Sequence, residues 1–170
     1  MKQRLKMKLS RRGITIPEFA LVAVVFFVLS LLAFPMYTIY VNAQRRKVAI
    51  HDMKKIEMAI QRLYEDTGAY PPGVKLGSDP DLVHNEDNIP DWQGPYLKHW
   101  VHGPPGWTAP GAQGAYQYRN FFYHGYHIVV LWCYGPNLTP EADITKGPPE
   151  KGHPVNWGDN IVKYILYTRY

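Results

Sequence analysis

Residues Phe19 to Val41 read FALVAVVFFVLSLLAFPMYTIYV, and this run decides the architecture. It carries no charge. As a helix rising about 1.5 Å per residue, it reaches across roughly 30 Å of hydrocarbon. A core helix of a soluble domain seldom lacks a polar face over such a length. Basic residues flank the run, Arg11 and Arg12 before it and Arg45, Arg46 and Lys47 after it. The upstream group is denser and has no acid beside it, so the positive-inside tendency places the N-terminus in the cytoplasm. A secretory signal peptide fits less well. Its apolar core is shorter and ends at a small-residue cleavage site, whereas this run passes Pro35 into an amphipathic continuation.

The net charge of +5 is a property of the first residues. Six of the 19 basic side chains, Lys2, Arg4, Lys6, Lys8, Arg11 and Arg12, stand before Ile14, and 13 remain against 14 acidic ones. A nucleic-acid footprint belongs on a folded domain, so this distribution reads as a topology signal and argues against nucleic acid as a partner. The one cysteine, Cys133, excludes an intrachain disulfide and a Cys-based metal site. It lies in His127-Ile-Val-Val-Leu-Trp-Cys-Tyr134, where a buried small hydrophobe is expected.

Glu18 stands at the edge of the apolar run, and a carboxylate entering hydrocarbon is a functional candidate by default. Its surroundings are Arg11-Arg12-Gly13, then Ile14-Thr15-Ile16-Pro17-Glu18-Phe19. This segment resembles the type III signal sequence of type IV pilins and pseudopilins, in which a short basic leader ends in Gly and a Glu lies four residues after the first mature residue. The resemblance runs from about Arg11 to Gln44 and includes Pro35, Tyr37 and Tyr40, at the spacing of a helix-kinking Pro and two Tyr. It implies that a prepilin peptidase cuts between Gly13 and Ile14 and that the new amine of Ile14 is methylated. It further implies that Glu18 neutralises the terminal amine of a neighbouring subunit. Such a pair avoids two unpaired charges in a low-dielectric setting and sets axial register. Two residues depart from the family pattern. Pro17 lacks an N–H, but in a first helical turn that donor has no intrahelical partner anyway. Ile14 stands where Phe is usual.

From Ala43 to Asp66 the pattern is amphipathic. Val48, Met53, Ile56, Ile60, Leu63 and Tyr64 recur near three- and four-residue spacing, and Gly68 is a natural stop before Tyr70-Pro71-Pro72. The stretch Leu63 to Pro71 also resembles the stem end of the major pseudopilins of type II secretion. Pro71 to Pro110 has little periodicity beyond a short candidate element at Leu97–Val101. Strands are expected at Ala115–Tyr118, Tyr126–Tyr134 and Ile161–Tyr167. The expected fold is α+β: a long N-terminal helix, part membrane-spanning and part amphipathic, packed on a small antiparallel sheet of three or four strands. The expected divisions are a basic leader at 1–13, a stem helix at 14–67 with its membrane part at about 19–41, and an extracytoplasmic head at 68–170.

Gly135 to Ile144 resembles a shortened pseudopilin calcium loop. Asn137 replaces the first Asp, the following Gly is missing and Ala142 replaces one of the paired acids. By that resemblance calcium is the cofactor to test, with Asn137, Glu141 and Asp143 as oxygen ligands. Two His pairs, His99/His102 and His124/His127, share one spacing, but neither segment reads as helical and neither has a ligand partner nearby. No nucleophilic triad, phosphate-cradling Gly loop or pair of catalytic carboxylates is recognisable, so no enzyme is expected. The resemblance implies a filament subunit anchored in the inner membrane and assembled in a periplasmic or cell-surface filament. Its partners would be further copies of itself, other pilins or pseudopilins, the prepilin peptidase, and the inner-membrane assembly platform with its ATPase. A minor or tip pilin that binds DNA, a surface or secreted cargo is the alternative.

Overall fold

The computed structural model describes residues 15–73, 78–108, 111–138 and 160–169. Their order is one helix and three strands: α1 (Ile16–Thr67), β1 (Tyr116–Tyr123), β2 (Tyr126–Cys133) and β3 (Ile161–Arg169). The class is α+β, as expected. The chain divides after Val41 into two compact units, described in turn.

In the first unit, α1 opens on a cap. Thr15 occupies the N-cap position and Glu18 lies three residues on. Glu18 Oε2 accepts from the Thr15 N–H and from its hydroxyl, each at 2.8 Å. This is the return half of a capping box. Pro17 sits in the first turn, where a missing N–H costs nothing. The helix continues through Pro35, and Thr38 Oγ1 donates to the Pro35 carbonyl at 2.8 Å. Ser30, the other polar residue amid this apolar stretch, turns its hydroxyl back to the Phe26 carbonyl at 2.8 Å. Its donor is thereby satisfied without a partner outside the helix. None of the most apolar window of α1 is buried.

In the second unit, α1 buries one stripe: Ala49, Asp52, Met53, Ile56, Ala59, Ile60 and Leu63. The expected Met53, Ile56, Ile60 and Leu63 lie on it. Val48 and Tyr64 do not; they are half-exposed, because at 3.6 residues per turn each falls about 80° from the centre of the stripe, on opposite flanks. Ala49 and Asp52 take that place on the stripe. Gly68 ends the helix at φ +70°, with its N–H on the Tyr64 carbonyl at 2.8 Å, a left-handed stop that glycine adopts without strain.

The sheet is antiparallel in the order β1-β2-β3. Pairing of Tyr116 with Cys133, Tyr118 with Leu131 and Asn120 with Val129 puts these residues on the face toward α1. There Tyr116, Tyr118, Val129, Leu131 and Cys133 join Ile56, Ile60, Leu63, Leu82 and Trp107 in one core. The opposite face gathers Ile128, Val130, Trp132 and Tyr134 with Tyr126, Val162, Tyr164 and Tyr167. Because β2 is covered on both faces, its sequence reads as nearly continuous apolar residues. A bulge between Val129 and Val130 in the β2–β3 register inserts Ile165, so Leu166 pairs with Val129 and Thr168 with His127. That insertion inverts the alternation of β3. Tyr167 therefore turns away to stack on Tyr126 at 4.7 Å, while Leu166 packs on the helix side.

One polar contact ties helix to sheet through this core. The Tyr116 hydroxyl donates to Asp52 Oδ2 at 3.0 Å, and Lys55 Nζ approaches Oδ1 at 3.5 Å. Burial, with the Asp52 charge added, raises the Tyr116 pKa, and burial raises that of Tyr118. Both phenols stay neutral donors. β1 runs to Tyr123, beyond the expected Tyr118, because the turn lies at His124-Gly125, where both residues have positive φ. Leu97–Val101 forms neither helix nor strand.

Candidate functional site

The processing candidates Gly13 and Ile14 lie outside the described residues. Glu18 lies inside them, and the structure gives it a local role: it closes the first turn of α1 on Thr15. Downstream, Phe19, Phe26, Phe27, Leu32, Phe34 and Tyr37 each turn more than three-fifths of their surface outward. An apolar surface of this extent requires a cover of lipid or protein. Leu21, Val22, Val25, Phe26 and Leu29 line a shallow, wholly apolar depression on this segment. Pro35 lies farther along the same exposed helix, and its carbonyl is occupied by Thr38.

Of the proposed calcium ligands, Glu141 and Asp143 lie outside the described residues. Asn137 is described, in the turn after β2. Among the described residues no group of three or more His, Cys, Asp or Glu is placed to hold a metal. The His pairs do not assemble. His102 Nδ1 lies 3.2 Å from the Gln113 carbonyl, His127 Nε2 lies 2.7 Å from Asn120 Oδ1, and His124 occupies the β1–β2 turn beside Tyr123. Cys133 is fully buried, and burial pushes its thiol up to about 11. A thiol so protonated is a packing group, not a nucleophile.

Two features of the head were not legible in advance. The first is the fold of the long connection. Asp79 caps the N–H groups of Leu82 and Val83 at 3.0 and 2.9 Å, and buried Asp81 accepts from Glu86 and Asp87 at 2.7 and 3.1 Å. Such Asx contacts replace a backbone ladder and leave no periodic trace. Burial raises the Asp81 pKa despite the two N–H groups that lower it. Ionisation at this site therefore opposes folding. Its cost is absent below the ordinary value of 3.8 and grows as pH rises through the raised pKa. Asp81→Asn keeps an acceptor oxygen and removes the charge. It is expected to raise the melting temperature at pH 7 by a few degrees and to flatten its dependence on acid pH. A lower melting temperature at pH 7 would count against this reading.

The second feature is an aromatic groove where α1 ends. Tyr64 stacks on Tyr70 at 4.4 Å and His127 on Phe122 at 4.4 Å, while Tyr70 meets His127 edge-on at 6.1 Å. Burial lowers the His127 pKa, which favours a neutral ring. The signal for this cluster was the density of aromatics around the β1–β2 turn, but only the register brings Phe122 and His127 opposite each other. Compared with protein-family models, curated proteins and solved structures, the chain matches none of them.

Proposed function

We propose that this chain is a structural subunit of a type IV pilus-like or type II secretion pseudopilus filament, processed between Gly13 and Ile14 and assembled through α1. The observation that carries this reading is the apolar half of α1, which no part of the described chain covers. Before assembly, lipid covers it and the helix spans the inner membrane. After assembly, neighbouring copies of the same helix replace the lipid, so one surface serves both states. The amphipathic half has a different task. It sinks its stripe into the sheet and fixes the head to the stem.

The basic leader and Glu18 support the same reading. The leader holds the N-terminus in the cytoplasm, where a prepilin peptidase meets the Gly13–Ile14 bond. Glu18, one turn into the helix, is positioned for the Ile14 amine of an adjacent subunit. The work of the protein is then mechanical: an ATPase-driven platform extracts subunits from the membrane and adds them to the base of the fibre. The tip-subunit alternative draws support from the aromatic groove, which is a surface suited to binding.

Mass spectrometry of the native protein tests the processing step. The expected chain begins at Ile14 and carries one added methyl group on its amine. An intact leader in assembled material would refute it.

A further inference from the structure

Beneath the β1–β2 turn, the aromatic groove has a volume of about 630 Å³. Tyr64, Tyr70, His127 and Phe122 form one continuous line of rings along it. Phe122 is 66% exposed and Tyr64 43%, an orientation that the core does not require. Polar groups stand among the rings. Asn120 Nδ2 donates to the carbonyls of Pro71 at 2.9 Å and Tyr70 at 3.3 Å. These bonds fix the orientation of the amide, so its Oδ1 accepts from His127 Nε2–H at 2.7 Å. The β3 bulge contributes Thr168 to the same wall. Arg169 also lines the groove; among the described residues no carboxylate does, and Arg169 has no acidic partner.

We propose that this groove is a carbohydrate site for an oligosaccharide bearing a carboxylate. A pyranose ring has a C–H face that lies flat on an aromatic ring and an edge of hydroxyl groups. Flat ring faces interleaved with a few fixed polar groups match both properties. The carboxylate of a uronic acid would meet Arg169, whose guanidinium pairs with planar anions through two parallel hydrogen bonds. A single-stranded nucleic acid would also stack on the rings, but it needs cations repeated along its phosphates, and among the described residues this groove has one. The site is built from the end of α1 and the sheet, within the second unit, and is independent of whether the chain forms filaments.

Titration calorimetry on the full chain in detergent micelles tests the assignment. The probes are the tetrasaccharides of galacturonate and of mannuronate, the neutral tetrasaccharide cellotetraose, and a thymidine hexanucleotide. At least one acidic sugar is expected to bind, and more tightly than cellotetraose. Phe122→Ala is expected to weaken it about tenfold, with Tyr64→Ala as a second ring deletion at a separate exposed position. Arg169→Gln is expected to remove the preference for the acidic over the neutral sugar. Melting temperatures serve as the folding control. The proposal is overturned if neither acidic sugar binds at about 10 mM, if both ring deletions fold and leave affinity unchanged, or if the hexanucleotide binds more tightly than either sugar.

Discussion

Glu18→Ala is expected to leave the chain inserted in the membrane and to reduce filament yield about a hundredfold or more. In the filament reading, the carboxylate faces the methylated amine of the next subunit, in surroundings from which water is largely excluded. Removing one member of such a pair leaves the other charge uncompensated, at a cost of about 3–5 kcal/mol. Insertion depends on Phe19 to Val41 and should not change. The structure adds a complication that makes the experiment sharper. Glu18 also closes the first helical turn on Thr15, at 2.8 Å to both the N–H and the hydroxyl, and loss of a cap costs about 1 kcal/mol by itself. Glu18→Gln separates the two roles: its side-chain oxygen can still accept from Thr15, but it carries no charge. Filaments counted by shearing and electron microscopy should be lost in both variants. Normal yield from Glu18→Gln would mean that the residue acts as a cap and not as a charge partner. Thr15→Val, which removes only the hydroxyl, should have a much smaller effect than either.

Legibility from sequence followed how local the controlling physics is. The uncharged run from Phe19 to Val41 and the stop at Gly68 are nearest-neighbour matters, and both were readable. So was β2, since a strand covered on both faces keeps its apolar residues in an unbroken row, and so was β3, an edge strand rich in β-branched and aromatic residues. Val48 and Tyr64 were misplaced because an apolar residue one step off the stripe looks periodic in a short window. Asp52 was missed because a buried carboxylate makes sense only with Tyr116, which is 64 residues away in the chain and donates to it. The candidate site divides along the same line. Glu18 was readable as an anomaly in an apolar context. The groove was not, because Tyr64, Phe122 and Thr168 come from three elements and a bulge decides which way β3 faces.

The same distinction predicts where the head is most vulnerable, and it is not in a regular element. Trp107 lies in the aperiodic connection between α1 and β1, yet it is 1% exposed and belongs to the core with Ile60, Leu82, Tyr116 and Leu131. A connection of this length loses much conformational entropy on ordering, and a buried indole is the largest single apolar contact available to offset that loss. Trp107→Ala is therefore expected to cost about 3–5 kcal/mol, or about 10 °C in melting temperature for a chain of this size. Trp107→Phe should behave differently. The indole Nε1–H is buried with no hydrogen-bond partner, a condition that costs about 1–3 kcal/mol. Phenylalanine keeps most of the apolar contact and removes that donor, so the lost volume and the relieved polar group partly offset each other. Thermal unfolding of the full chain in detergent, followed by near-ultraviolet circular dichroism, should rank the variants with Phe close to the natural chain and Ala far below it. Equal losses from Phe and Ala would show that the Nε1–H does have a partner and that the connection is anchored through it. Near-normal stability of Trp107→Ala would show that the connection is held by the Asp79 and Asp81 contacts instead.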